Sequence, residues 1–263
     1  MMDLKDVQLI ITDLDGTLLD SKKKLDSDIK KVLQNKKIFF TIATGRNYHI
    51  VNDIVKELDI HIPYIINNGA NIYLEDKCIW QVYIEKNELK DVIHILQKEE
   101  IAFLLYSDNE IFTCGNIEKM SQFIQRLNGK CRILDIRESA FKKIFKIVLI
   151  DEQEFKMKNL CKNINKSKNI RCVRSEDNIY TITNIQATKG NAMKKILEWI
   201  EVDEKHTLVF GDNYNDISMF EKAKYSVAPA NAQEIVKKKA TFLMKSNDEN
   251  GVSNFIEKYV FKS

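Results

Sequence analysis

Proline is almost absent, with two in 263 residues, and glycine numbers only eight. So little of either leaves no Pro/Gly-rich linker to mark a domain boundary, and each remaining glycine signals a particular backbone demand. The five cysteines (Cys78, Cys114, Cys131, Cys161 and Cys172) are odd in number and form no C-x-x-C pair. They read as free thiols in a reducing cytosol rather than as a disulfide frame or a metal cluster. No apolar run approaches the length of a membrane span. The first apolar run is short, follows Asp3 and Asp6 and is interrupted by aspartates, unlike a secretory signal. The expected location is therefore cytoplasmic, with no membrane partner. Charge of one sign is lacking too: Lys+Arg 41 against Asp+Glu 38 leaves a net +3. The only dense basic runs, Lys22 to Lys24 and Lys237 to Lys239, read as solvated surface, and no nucleic-acid partner is expected. The four histidines, His49, His61, His94 and His206, have no spacing partner and read as surface or satisfied core.

What the chain does have is apolar residues in short periodic runs. At 44% hydrophobic it supports one large domain or two modest ones. In the first third, "VQLII" (Val7 to Ile11), "IFFTIA" (Ile38 to Ala43) and "IPYII" (Ile62 to Ile66) read as buried strands. Helical patterns lie between them, with Ile29, Val32 and Leu33 on one face and then Ile50, Val51, Ile54, Val55 and Leu58. The last third resumes the alternation: a helix at Ala192 to Ile200, a strand "TLVF", a helix "DISMFEKA", then "YSVA", "NAQEIVKKKA", "TFLM" and a closing helix. Strands alternating with helices imply a parallel sheet covered on both faces. The middle, from about Trp80 to Thr183, differs. Hairpins are expected around Ser107-Asp108-Asn109 and around Glu176-Asp177-Asn178, each preceded by a helix. A further helix near Ile117 to Leu127 and a strand "IFKIVLI" lie between them. The fold class expected is α/β, a doubly wound parallel-sheet core (residues 1–80 and 186–263) with an inserted α+β domain (residues 81–185).

The polar residues collect just after the core strands. The first strand runs into Asp13 and Asp15, the second into Thr44-Gly45-Arg46, the third into Asn67-Asn68-Gly69, and "TLVF" into Gly211-Asp212 with Asn215 and Asp216 beyond. Open α/β sheets bind ligands at the carboxyl ends of their strands, so these clusters converge. Carboxylates gathered at one point repel and raise one another's pKa unless a cation joins them. Oxygen donors without histidine or thiolate favour a hard ion, Mg²⁺ first. Thr44, the N–H groups around Gly45, Lys189 and Asn215 are donors suited to phosphoryl oxygens. The set fits phosphoryl transfer. In that chemistry Asp13 can be the nucleophile, and Asp15, two positions on, the acid and then the base. Gly16 permits the sharp turn, and Thr17 is a candidate to hydrogen-bond Asp13.

"DLDGTLL" (Asp13 to Leu19), "ATGR" (Ala43 to Arg46), "TKGNA" (Thr188 to Ala192) and "GDNYNDISMF" (Gly211 to Phe220) resemble the ordered motifs of the haloacid-dehalogenase-like hydrolases. The closest likeness is to the Cof-type branch, with its α+β cap inserted into a Rossmann-like core; "NNGA" and "NDENGVSNFI" are similar to that branch too. The resemblance implies an aspartyl-phosphate on Asp13 and acid/base work by Asp15. It implies Mg²⁺ held by Asp13, the Asp15 carbonyl and Asp212, with Asp216 beside them. It assigns phosphoryl binding to Thr44, Gly45, Lys189 and Asn215; Arg46, beside them, is read either as reaching the substrate or cap or as pairing with surface acids. The expected substrate is a small phosphorylated metabolite, most often a sugar phosphate in this branch. One departure is that Thr181-Ile182-Thr183-Asn184-Ile185 replaces the Glu-Ile-x-Pro stretch of many relatives. Two rival readings share the motifs: a phosphotransferase or mutase acting on sugar phosphates, and a regulator that holds a phosphometabolite without turnover.

Overall fold

The first strand, β1 (Leu9–Thr12), is buried at every residue in the computed structural model, which describes residues 4–34, 38–107, 110–114, 121–126, 132–135, 143–150, 153–176 and 178–261. Both faces of β1 are covered, and its sequence is accordingly apolar without alternation. It is followed by α1 (Ile29–Gln34), β2 (Phe39–Ile42) and α2 (Tyr48–Glu57). Then come β3 (Tyr64–Ile66), β4 (Asn71–Leu74) and β5 (Lys77–Gln81).

The chain divides into two compact units, one of residues 1–45, 54–80 and 188–263, the other of residues 46–53 and 81–187. In the first, the C-terminal third supplies α6 (Lys189–Ile200), β12 (Thr207–Phe210), α7 (Ile217–Phe220) and β13 (Tyr225–Pro229) after the elements of the second unit. It ends with α8 (Glu234–Lys239), β14 (Phe242–Met244) and α9 (Gly251–Ile256). The main sheet has the order β14-β13-β12-β1-β2, parallel throughout. Leu9, Ile11 and Val209 point to one face, where Ala192, Met193 and Ile196 of α6, Met219 of α7 and Val236 of α8 pack on them. On the other face Phe210 meets Phe255 of α9 edge-on at 5.6 Å. Each such aliphatic or aromatic side chain contributes about 1.5–3 kcal/mol when fully buried, so a doubly wound sheet is the arrangement that uses every strand residue. The third predicted strand differs from expectation. It joins a separate antiparallel sheet, β3-β4-β5, and adjoins the main one at an isolated parallel bridge, Ala43 to Ile65, and at the Thr41 hydroxyl, which donates to the Pro63 carbonyl at 2.8 Å.

The second unit is built from α3 (Lys86–Lys98), β6 (Ala102–Tyr106), β7 (Glu110–Cys114), α4 (Ser121–Arg126) and β8 (Arg132–Asp135). β9 (Lys146–Ile150), α5 (Glu154–Ile164), β10 (Ile170–Glu176) and β11 (Ile179–Asn184) complete it. Its sheet has the order β10-β11-β9-β6-β7-β8, antiparallel except at β7–β8. Phe103, Leu105, Ile147, Leu149 and Ile182 face α3 and α5, which answer with Val92, Leu96, Met157 and Leu160. The tips of the expected hairpins at Asp108, Asn109 and Asp177, and the expected helix outside 121–126, lie outside the described residues. The reading of five free thiols is corrected at one pair: Cys161 on α5 and Cys172 on β10 form a disulfide, with Cα atoms 5.1 Å apart. A helix laid across a strand brings these sulfurs together, which no C-x-x-C spacing announces. Cys78 is an exposed thiol. Among the described residues no helix is long and apolar enough to cross a membrane.

Candidate active site

β1 and β12 are neighbours, so the residues that follow them leave the sheet side by side. Asp13 donates its N–H to the Phe210 carbonyl at 3.0 Å, which ties the first residue past β1 to the end of β12. The backbone then turns at Gly16, where φ is +83°. A side chain there would be strained, and its Cβ would stand 2.5 Å from Asp212 Oδ2. Glycine is needed because the turn passes against a carboxylate.

Asp13, Asp212 and Asp216 each offer a carboxylate oxygen within 4.8 Å of the others. Lys189 enters from α6. Its Nζ lies 2.6 Å from Asp13 Oδ1 and 2.6 Å from Asp216 Oδ1, and its side chain is 0% exposed. A lysine at the start of a helix opposes the helix dipole, and a buried ammonium is costly, so its place here depends on those two carboxylates. Asp216 accepts three hydrogen bonds: its Oδ2 takes the N–H groups of Asp212 and Asn213, both at 3.0 Å, while Oδ1 holds the lysine. Thr17 donates to Asp212 Oδ1 at 3.0 Å and not, as the sequence had implied, to Asp13.

Three acids around one cation leave the cluster in excess of negative charge. Burial pushes the Asp13 carboxyl well above the ordinary carboxylate range; Lys189 opposes this, while Asp216 and Asp212 add to it. Burial, then Asp216, raises Asp212 to about 6, against the Thr17 hydrogen bond and Lys189. Burial alone would lower the Lys189 pKa, but Asp13 and then Asp216 more than reverse it, so the ammonium stays charged. A divalent cation fits this set: hard oxygen donors, no histidine or thiolate among them, and surplus negative charge. Each of the three acids offers it an oxygen, although both oxygens of Asp216 already accept hydrogen bonds within the chain.

The predicted donors gather on the neighbouring side. Thr44 follows β2, receives a hydrogen bond at its carbonyl from Asn68 N–H (3.0 Å) and gives its own N–H to Ile65 (2.9 Å). Asn215 donates to Asn68 Oδ1 at 2.9 Å, and a Cβ on Gly45 would lie 2.8 Å from that same oxygen. Asn68, with φ +58°, thereby links the Thr44–Gly45 turn to Asn215. The sequence places it in the polar cluster after the third strand without naming Asn215 as its partner. Gly69 in turn packs on the start of α6: its Cβ would fall 2.2 Å from the Thr188 carbonyl carbon. Asp15 is the exception among the acids. Its carboxylate is paired with Lys23 Nζ at 2.8 Å on the exposed side of the turn rather than gathered with the other three. Arg46 is half-buried and belongs to the second unit.

A carboxylate held by a buried lysine, with further acids at the ends of adjacent parallel strands, is an arrangement suited to phosphoryl transfer on a doubly wound fold. Residues 10–256 match the model of the haloacid dehalogenase-like hydrolases, and the chain belongs to that family, in its Cof-type phosphatase branch. A phosphatase-family protein from Buchnera aphidicola is 30% identical over 97% of this chain and 98% of its own. The 5-amino-6-(5-phospho-D-ribitylamino)uracil phosphatase of Bacillus subtilis is 26% identical, over 95% of this chain and 97% of its own. A solved structure from Streptococcus mutans, 26% identical, superposes with a TM-score of 0.84 over 97% of this chain and 100% of that one.

Proposed function

We propose that this chain is a Mg²⁺-dependent phosphatase of small phosphorylated metabolites, working through an aspartyl-phosphate on Asp13. The observation that carries the reading is the Asp13 carboxylate, held at Oδ1 by a buried lysine 2.6 Å away that also holds Asp216, and flanked by Asp212. Fixing one oxygen leaves the other to attack phosphorus in a defined direction. Mg²⁺, when bound, would be held by Asp13, Asp212 and the Asp15 carbonyl, and would neutralise charge on the transferring phosphoryl group. Lys189 and the donors Thr44, Gly45 N–H and Asn215 orient the phosphoryl oxygens. Arg46 is assigned to the rest of the substrate. Asp216 takes no direct part; it keeps Lys189 charged and aimed. Asp15 delivers a proton to the leaving oxygen and then withdraws one from the attacking water, for which its side chain must leave Lys23. The small-metabolite class is supported by the Bacillus subtilis relative, whose substrate carries a phosphoribityl group.

The test is a phosphometabolite panel with wild type beside Asp13→Asn, together with borohydride quenching during turnover. Borohydride reduces an acyl-phosphate to an alcohol, so homoserine is expected at position 13 by peptide mass spectrometry. The modification at another residue, or full turnover by Asp13→Asn, would overturn the assignment. Adding an acceptor sugar separates hydrolysis from transfer, and free phosphate is the expected product.

A further inference from the structure

The turn that carries Asp15, Gly16 and Thr17 is held from outside by two asparagines far away in sequence. Asn231 Nδ2 donates to the Gly16 carbonyl at 2.8 Å. Asn247 Nδ2 donates to the Leu19 carbonyl at 2.8 Å, and its backbone N–H reaches Asn231 Oδ1 at 3.0 Å. The two side chains therefore act as one brace: Asn247 fixes the amide of Asn231, and Asn231 fixes the Gly16–Thr17 peptide. That peptide begins the residue whose hydroxyl donates to Asp212 Oδ1 at 3.0 Å. The same segment meets Asp212 from its other side, since Gln233 N–H donates to the Asp212 carbonyl at 3.1 Å. Asn247 is 8% exposed and Thr17 1%, whereas Asn231 is exposed. An exposed asparagine has water as an alternative partner, so its ordered place in this chain of bonds is a matter of position more than of stability.

We propose that Asn231, braced by Asn247, is a positioning residue for Asp212: it sets the Gly16–Thr17 peptide so that the Thr17 hydroxyl holds the Asp212 carboxylate in its cation-binding orientation. The inference rests on the metal-dependent reading above and goes beyond it. Partners one bond removed from a metal ligand typically change cation affinity by about 10–100-fold when lost. The brace ends at two backbone carbonyls, and it contains no group that titrates near neutrality.

The experiment is calorimetric titration of Mg²⁺ into wild type, Asn231→Ala, Asn231→Ser, Thr17→Val and the Asn231→Ala/Thr17→Val double variant, with thermal unfolding in chelator alongside. Wild type is expected to bind one ion. Asn231→Ala and Thr17→Val should each weaken it about tenfold, and the double variant no more than either alone, because both break the same chain. Raising Mg²⁺ should restore kcat in Asn231→Ala with substrate KM unchanged. Asn231→Ser, a small change at an exposed position, keeps the test open if Asn231→Ala folds poorly. Unchanged Mg²⁺ affinity in the folded Asn231 variants, or a lowered melting temperature alone, overturns the positioning role while leaving the metal reading intact. A wild type that binds no Mg²⁺ overturns that reading, and this inference with it.

Discussion

Lys189 Nζ stands 2.6 Å from Asp13 Oδ1 with no solvent access on the lysine side. The same ammonium holds Asp216 at 2.6 Å, so one cation compensates two buried acids. Removing one member of such a buried set costs about 3–5 kcal/mol, because the others are left uncompensated. Lys189→Met is therefore expected to lower the urea midpoint strongly and to abolish turnover, with the stability loss shrinking as pH falls through about 6 and below, where the orphaned, already raised acids take up protons. Equal destabilisation at pH 4.5 and pH 7.5 would contradict this electrostatic account.

The raised carboxyls of the cluster make the cation-free protein less stable as pH rises. Asp212, held at about 6 by burial and by Asp216, favours its neutral form in the folded state. Its contribution is complete below the ordinary carboxylate pKa near 3.8 and is lost as pH climbs through about 6. Asp13 shifts in the same direction. Melting temperatures in chelator for wild type and Asp212→Asn should thus be close at pH 4 and diverge by pH 7, with the amide variant the more stable. Mg²⁺ should raise the wild-type melting temperature far more at pH 7.5 than at pH 4.5, since binding to the folded state adds stability by mass action and needs the carboxylates ionised. A wild type that gains on the amide variant as pH rises would reverse the sign and refute it.

Asp13, Asp212, Asp216 and Lys189 were legible as a cluster because each lies at or just beyond an element end that the apolar periodicity marks, and a parallel sheet delivers such ends to one edge. What could not be read is the pairing inside the cluster. Thr17 has two acids within its neighbourhood, and only the rotation of the turn at Gly16 decides for Asp212. Asp15 was expected among the acids because sequence spacing says nothing of Lys23, which reaches back from a residue with φ +63°. Asn68 reads as a turn former from its neighbour Gly69, and its bond to Asn215 joins residues 147 positions apart. The β4–β5 hairpin escaped notice because its strands are short, β5 is exposed to half-buried, and Glu75-Asp76 stands between them, which weakens the apolar signal. In the second unit, helix and hairpin periodicity sufficed for most elements, but contact between Cys161 and Cys172 depends on how α5 crosses β10.

Gly69 tests whether the loop after β3 sets the height of Lys189. Its φ of +93° is closed to side chains, and a Cβ would press on the Thr188 backbone at 2.2 Å. Left-handed backbone alone costs a non-glycine residue about 1–2 kcal/mol, and the overlap must be relieved by moving the start of α6. Gly69→Ala is expected to lower the melting temperature by several degrees and to cut kcat by at least tenfold. Normal turnover by Gly69→Ala would show that α6 tolerates the shift and that Lys189 does not depend on this loop.

Lys23 and Asp15 form an exposed ion pair at 2.8 Å, with side-chain exposures of 61% and 37%. Exposed pairs contribute about 0–1 kcal/mol, so Lys23→Ala should leave the melting temperature within a degree or two of wild type. The kinetic consequence follows from the proposed work of Asp15, which must release the lysine before it can reach a leaving oxygen. Freed of that competition, Lys23→Ala is expected to turn over as fast as wild type or up to about fivefold faster, the ceiling set by an interaction of about 1 kcal/mol. Asp15→Asn should lose activity by several orders of magnitude whether or not Lys23 is present. Steady-state kcat for the two single variants and the double variant decides the matter: a tenfold or greater loss in Lys23→Ala would mean that the lysine takes part in the reaction instead of merely holding its acid at rest.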